Sequence, residues 1–193
     1  MFTSLLNRLF SGKPSGVTPT APLRLHIGGE IAHPDWKIFN IEAGPQVDYV
    51  GHCADLSRFG DASISEIYAS HVLEHLHFKT ELPAALREFH RVLQSGGHLR
   101  ISVPDLKTLC TLFLDPVMTT LQRFQIMQMM YGGQTTPADA HHVGLDEEFL
   151  TQYLQDAGFA DIARVERFGI FDDASNMQYK LPVSLNMQAR KPG

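Results

Sequence analysis

The sequence has little cysteine. Only Cys53 and Cys110 occur among the 193 residues, and they do not form a C-x-x-C pair. This scarcity excludes a disulfide framework, and the spacing excludes the commonest zinc-ribbon and redox motifs. A reducing compartment suits such a chain, so we expect a cytoplasmic protein.

The sequence also lacks an excess of positive charge and a long apolar run. Lys and Arg number 16 against 21 Asp and Glu, which gives a net charge of -5. No basic field would attract nucleic acid, so a nucleic-acid partner is not expected. No run reaches about 18 apolar residues, and the N-terminus lacks a signal-peptide core. We therefore expect no transmembrane segment.

Composition predicts one folded domain preceded by a short segment. Residues 1–22 comprise an amphipathic stretch carrying Phe2, Leu5, Leu6, Leu9 and Phe10, then a linker rich in Gly and Pro. The stretch 1–10 could make a weak contact with a membrane surface or a partner. A helix docked on its own domain, or a frayed one, is the interpretation we favour, because such short helices are marginal alone. Residues 23–193 form the predicted domain.

The centre of that domain is a predicted βαβ unit. A buried strand over 64–69 leads to the polar segment 70–75, then to a helix over about 80–93, a Gly-Gly turn and a strand over 99–103. The helix prediction rests on apolar residues at three- and four-residue steps. Gly96 is expected in a left-handed conformation that ends the helix. Ligands of open parallel sheets bind at the carboxyl ends of strands, so segment 70–75 should line the site.

Three short strands are predicted before this unit, over 23–27, 37–41 and 47–50. They lead into Gly28-Gly29, Glu42 and Asp55. The connections are too short for the crossover helices that parallel strands usually need. A parallel sheet would then be thinly covered on one face, which predicts self-association, as in a homodimer.

Two helices, a polar loop, a third helix and two strands are predicted after Asp105. The helix over 117–131 carries a methionine stripe, which is usually core but could form an adaptable wall for an apolar substrate. Asp146 should cap the third helix. The last strands are predicted over 162–168 and 184–189.

Residues His71 to His75 also spell H-x-x-E-H, the inverted zinc-peptidase motif. Metal chemistry would need both histidines one helical turn apart and another ligand from elsewhere. The motif straddles a predicted strand end, so the two histidines should diverge. We expect no metal site.

Residues 67–104, with their SHVLEH, ALREFHRVL and SGGHLRISVP segments, resemble the second half of a class I S-adenosylmethionine-dependent methyltransferase domain. They are especially similar to a group of small bacterial predicted methyltransferases, and the similarity extends over about 23–192. The resemblance implies an α/β fold with a Rossmann-like sheet, mostly parallel, of up to seven strands ending in an antiparallel hairpin. It also implies S-adenosylmethionine as cofactor.

Site residues follow from the same resemblance. Gly28 and Gly29 match the glycine turn beside the methionine part of the cofactor, and Glu42 matches the acid that binds the ribose hydroxyls. The other matching positions are Asp55 and Leu56 beside adenine, and Ser70 and His71 where methyl group and acceptor meet.

Two histidines are candidate bases. His71 is the first, because an imidazole titrates near neutral pH, and His142 on the polar loop is the second. Each also has a plain structural interpretation, His71 as a support of the strand end and His142 as loop surface.

One residue departs from the family pattern. Glu30 stands where relatives have glycine, and a carboxylate about 4 Å from the cofactor's own carboxylate would cost about 4 kcal/mol at an effective dielectric of 20. Two functions therefore stay open: methyl transfer to a small-molecule or saccharide acceptor, and a catalytically inactive methyltransferase-like binding or assembly module.

Overall fold

The computed structural model describes residues 22–193, so the predicted amphipathic stretch 1–10 lies outside the described residues. A seven-stranded sheet runs through this part of the chain. Two further short strands, β7 and β8, pair with each other apart from it. The strands are β1 (Leu23–Ile27), β2 (Lys37–Asn40), β3 (Tyr49–Val50), β4 (Ile64–Ser70), β5 (Leu93–Pro104), β6 (Ala160–Val165), β7 (Gln178–Tyr179), β8 (Leu181–Pro182) and β9 (Ser184–Arg190).

The order of the main sheet is β3-β2-β1-β4-β5-β9-β6. Strands β1 to β5 run parallel to one another, and β9 is antiparallel to both β5 and β6. This confirms the predicted Rossmann-like sheet, mostly parallel, with an antiparallel C-terminal hairpin. The carboxyl ends of β1, β2 and β4 consequently meet at one edge, where the sequence places its polar residues.

Four α-helices occur in residues 22–193: α1 (Glu81–Val92), α2 (Leu106–Leu114), α3 (Thr120–Tyr131) and α4 (Glu147–Asp156). Asp105 and Asp146 cap α2 and α4 by accepting bonds from backbone N–H groups, as the sequence predicts for Asp146. Within the described range no helix is both long enough and apolar enough to cross a membrane.

The main core lies between one face of the sheet and helices α1 and α4. Leu25 and Ile67 from the sheet, Leu86 and Phe89 from α1, and Leu150 from α4 are fully buried in it. Side chains alternate along a strand, so His26 and Tyr68 point to the opposite face. That face has a separate cluster formed with Trp36 and Phe171.

The loop between β6 and β7 covers the face that the absent crossover helices would occupy. No helix occurs between Leu23 and Ile64, which confirms the truncated crossovers. Phe171 lies over His26 with ring centroids 4.1 Å apart, and the hydroxyl of Tyr68 donates to Asp173, its oxygen lying 2.9 Å from Oδ2. This cover removes the thin face from which self-association was predicted, and the homodimer stays a prediction.

Two predicted elements differ in extent. Strand β5 begins at Leu93, directly after α1, and Gly96 (φ +74°) lies inside the strand, where the pairing with β4 shifts register. Its left-handed conformation was predicted, but it does not end the helix. The predicted methionine stripe is only partly core. Met118, just before α3, is buried, and Met127 and Met130 are half-buried, whereas Leu121 and Phe124 are 69% and 53% exposed.

Candidate functional site

A cavity of about 470 Å³ opens at the carboxyl ends of β1, β2 and β4. Its walls include five of the residues singled out in the sequence: Gly28, Glu30, Glu42, His71 and His142. The volume falls within the usual range of small-molecule sites, about 300–1,000 Å³. Residues from separated parts of the sequence thus share one site at the predicted edge of the sheet.

Asn40, the last residue of β2, forms hydrogen bonds with the glycine turn and with Glu42. Its side-chain amide donates to the carbonyl of Gly29 (3.2 Å), and its Oδ1 accepts from the backbone N–H of Glu42 (3.2 Å). Glu42 itself is solvent-exposed at the cavity wall. Sequence reasoning missed Asn40, although a polar residue that ends a strand was already the signal used for Glu42.

Close neighbouring side chains leave no room for a Cβ at either residue of the glycine turn. Gly28 has a φ of +74°, and a Cβ there would lie 2.3 Å from Cγ2 of Val72. A Cβ on Gly29 would lie 2.5 Å from Nδ1 of the buried His26. Gly28 lines the cavity, whereas Gly29 does not. The turn brings the backbone close to segment 70–75 and to the aromatic cluster.

Three of the other predicted cofactor residues do not line the cavity. Leu56 is fully buried in the core, and its N–H donates to Oε2 of Glu88 (2.9 Å). Asp55 is exposed, and its hydrogen bond with Ser57 lowers the pKa of its carboxyl. Ser70 has a buried hydroxyl behind the wall. Asp55 and Leu56 follow β3, and Ser70 is the last residue of β4, but the sequence could not give the directions of their side chains.

His71 sits at the cavity with both ring nitrogens near protein atoms. Its φ of +53° is unusual for a residue with a side chain and turns the chain after β4. Nε2 lies 3.1 Å from Oγ of Ser184, which itself donates to the carbonyl of Ala174, so Nε2 donates to this oxygen. Nδ1 lies 3.3 Å from Oε1 of Glu74.

Glu74 is a buried acid in the wall of this site. Its side chain is 2% exposed, and neither carboxylate oxygen has a hydrogen-bond partner among residues 22–193. One of its oxygens and one ring nitrogen each of His75 and His141 lie within 4.8 Å of one another. Burial lowers the pKa of the His141 imidazole, which keeps that ring neutral more readily.

The loop between α3 and α4 brings His141 and His142 to the site. The backbone N–H groups of His142 and Val143 both donate to the carbonyl of Glu74, at 2.8 and 3.3 Å. The ring of His142 is exposed at the cavity and stacks on His77 with centroids 5.0 Å apart. The two histidines of the loop therefore have different neighbours: the ring of His141 lies beside Glu74 and His75, and that of His142 lies beside His77.

Known proteins match this chain in sequence family and in fold. The profile of a family described as methyltransferase domain matches residues 23–164. No curated protein matches the sequence.

Several solved methyltransferases share the fold. The CurJ carbon methyltransferase matches with a TM-score of 0.57 and 14% identity over 92% of this chain, which spans 50% of that enzyme's length. A SAM-dependent methyltransferase from Thermotoga maritima matches with a TM-score of 0.53 and 15% identity. The match covers 88% of this chain and 82% of that enzyme. A Burkholderia thailandensis N1-methyltransferase with bound S-adenosylhomocysteine matches with a TM-score of 0.53 and 18% identity. The match covers 89% of this chain and 72% of that enzyme.

The family match covers most of the chain, and the sheet order and the site at its carboxyl edge agree with it. The chain therefore belongs to the methyltransferase-domain family, whose enzymes use S-adenosylmethionine.

Proposed function

We propose that the cavity at the carboxyl edge binds S-adenosylmethionine and that the protein transfers the cofactor's methyl group to a small-molecule or saccharide acceptor. The observation that carries this proposal is the convergence of Gly28, Glu42 and His71 on one cavity. These residues follow three different strands, and no single local motif would bring them together. Their convergence is what a nucleoside-type cofactor requires at the edge of a parallel sheet.

The residues present fit the cofactor. Glu42 offers two carboxylate oxygens to ribose hydroxyls, and such charge-assisted bonds contribute about 1.5–3 kcal/mol each. Asn40 holds the backbone of Glu42 in place through its Oδ1. Ile41, 54% exposed beside Glu42, offers apolar surface to an adenine ring.

Methyl transfer needs alignment and, for a hydroxyl acceptor, a base. The bound cofactor supplies an electrophilic methyl group on a sulfonium. Transfer to a hydroxyl acceptor would break the sulfur–carbon bond and would require the acceptor to give its proton to a base. His142, exposed at the wall, is our proposed proton acceptor. Both nitrogens of His71 face protein atoms, so we assign it to shaping the site.

The second candidate is a catalytically inactive binding module, and the position of Glu30 favours it. Glu30 lies on the same cavity wall as Gly28. A carboxylate there repels the cofactor's own carboxylate unless it pairs with the cofactor's ammonium group. If Glu30 repels the cofactor's carboxylate, we expect Glu30→Gln to strengthen cofactor binding. If Glu30 pairs with the cofactor's ammonium group, the same substitution should weaken it.

Calorimetric titration of the purified protein with S-adenosylmethionine and S-adenosylhomocysteine tests the enzyme proposal. We expect micromolar binding, and Glu42→Ala should weaken it about 10- to 100-fold, the effect of losing one charge-assisted bond to ribose. Glu148→Ala, an exposed acid on α4, is the matched control and should bind as the wild type does. Absence of binding up to millimolar cofactor would favour the inactive module.

The remaining features of the function are also proposals. The net charge of -5 supports a partner that is not nucleic acid. The two unpaired cysteines, one of them buried, support a reducing, cytoplasmic location.

A further inference from the structure

We propose that Glu74, His75 and His141 form a binding site for a divalent transition-metal ion in the wall of the cofactor cavity. Two imidazoles and one carboxylate are a donor set that suits zinc, manganese or iron, and the histidines disfavour magnesium. The three donors come from the short 3₁₀ helix Leu73–His75 and from the loop before α4, which the fold brings together.

The strongest support is the state of the Glu74 carboxylate. A carboxylate that is 2% exposed is normally held by hydrogen bonds or by a cation, because burial of an unpaired charge is unfavourable. Here neither oxygen has a hydrogen-bond partner in the described part of the chain. His71 is near Oε1, while Oε2 faces no donor. A metal ion would supply the missing partner.

One of the two histidines, His75, is oriented as metal-binding histidines usually are. Nδ1 of His75 lies 3.2 Å from the carbonyl of Ala140, so it is this nitrogen that donates, and Nε2 stays available as a ligand. Such a bond from the second nitrogen orients most metal-binding histidines. The rings of His75 and His141 approach edge to face, with centroids 4.7 Å apart.

The backbone already fixes the two elements relative to each other. The carbonyl of Glu74 accepts from the N–H of His142 at 2.8 Å, and the N–H of His141 donates to the carbonyl of Tyr131 at 3.2 Å. The donors lie within 4.8 Å of one another, and a tetrahedral site with bonds near 2.1 Å needs about 3.4 Å. Metal binding would therefore require the three side chains to turn toward one another.

The position of the site suggests its role. His75 lines the cavity, so an open coordination position would face the acceptor. A metal ion there binds an acceptor oxygen, lowers its pKa and orients it toward the methyl group. This role rests on the proposed function, whereas metal binding itself does not. From the sequence a metal was not expected, because His71 and His75 should diverge at the strand end. The site proposed here uses Glu74 and His75 of that motif and His141 from the loop.

The test uses protein purified without a histidine tag, treated with chelator and titrated with ZnCl₂ or MnCl₂ by calorimetry and thermal unfolding. We expect about one equivalent to bind at micromolar or lower concentration and to raise the Tm. Glu74→Gln and His141→Gln should each weaken binding at least about 100-fold, since even outer-shell changes cost 10- to 100-fold. His98→Gln, an exposed histidine on β5, is the control and should bind normally.

Metal-free Glu74→Gln separates a metal ligand from a structural acid. If the carboxylate is a metal ligand, the metal-free Glu74→Gln variant should unfold at the same or a higher Tm than the metal-free wild type. Failure of both ions to bind tighter than about 100 µM would overturn the proposal. So would equal metal binding by wild type, Glu74→Gln and His141→Gln. Neither assay needs the methyl donor, so a negative cofactor titration leaves this proposal standing.

Discussion

Arg91→Ala is expected to lower the free energy of unfolding by about 3 kcal/mol. The guanidinium forms two bonds with the carboxylate of Glu88, at 2.7 and 2.8 Å, and one with Asp61 at 2.7 Å. It also donates to the carbonyls of Leu56 and Phe59, both at 3.0 Å. Hydrogen bonds to charged groups contribute about 1.5–3 kcal/mol each, and partial exposure reduces the sum. Denaturant unfolding followed by circular dichroism measures the loss.

The effect should reach the site, because Arg91 holds the loop that follows β3. Residues His52 and Cys53 of this loop line the cavity. Arg87→Ala, one turn away on an exposed position of α1, is the matched control and should change stability by less than about 0.5 kcal/mol. Equal losses in the two variants would show that Arg91 contributes only a general effect of helix charge.

Acidification from pH 7 to pH 4 should cost about 3 kcal/mol of stability through His26 alone. Burial against Tyr68 and Phe171 lowers the pKa of His26 from 6.5 to about 4, and each tenfold loss of proton affinity corresponds to about 1.4 kcal/mol. Asp173 raises this pKa and His33 lowers it, but both effects are smaller than the effect of burial.

The sign follows from proton binding. Between pH 6.5 and about 4 the unfolded chain binds a proton at His26 that the folded chain does not, so stability falls as pH falls. Above pH 6.5 the contribution is constant. His26→Leu, which is similar in volume and cannot be charged, should flatten this part of the pH profile, whereas His98→Gln on the exposed face of β5 should not. Parallel profiles for wild type and His26→Leu would contradict the assignment.

The parts of the fold that local patterns determine could be predicted. The apolar period predicted α1, and Asp146 predicted the start of α4. The polar residues at the strand ends predicted the sheet edge that carries the cavity. The start of β5 could not be predicted, because the register shift around Gly96 depends on pairing with β4. The cover of the second sheet face depends on Tyr68 and Asp173, which are 105 residues apart.

The candidate site shows the same division. Glu42 and His71 could be placed because each follows a strand. Glu74 and His141 could not be paired in advance, since the loop is positioned by backbone bonds to the Glu74 carbonyl that leave no trace in composition or periodicity. The side chain of Leu56 is buried in the core, and its predicted contact with adenine stays a prediction. A position in the chain does not fix whether a side chain turns toward the core or the cavity.

The position of β9 has a consequence for how the chain folds. This strand lies between β5 and β6, and the loop before β7 covers β1 and β4. During synthesis, the sheet therefore stays open at β5, and the second face of β1 stays bare, until residues 168–190 have left the ribosome. Such distant pairings slow folding and expose apolar strands in the meantime. The core of this domain is therefore completed last, when β9 pairs with β5 and β6.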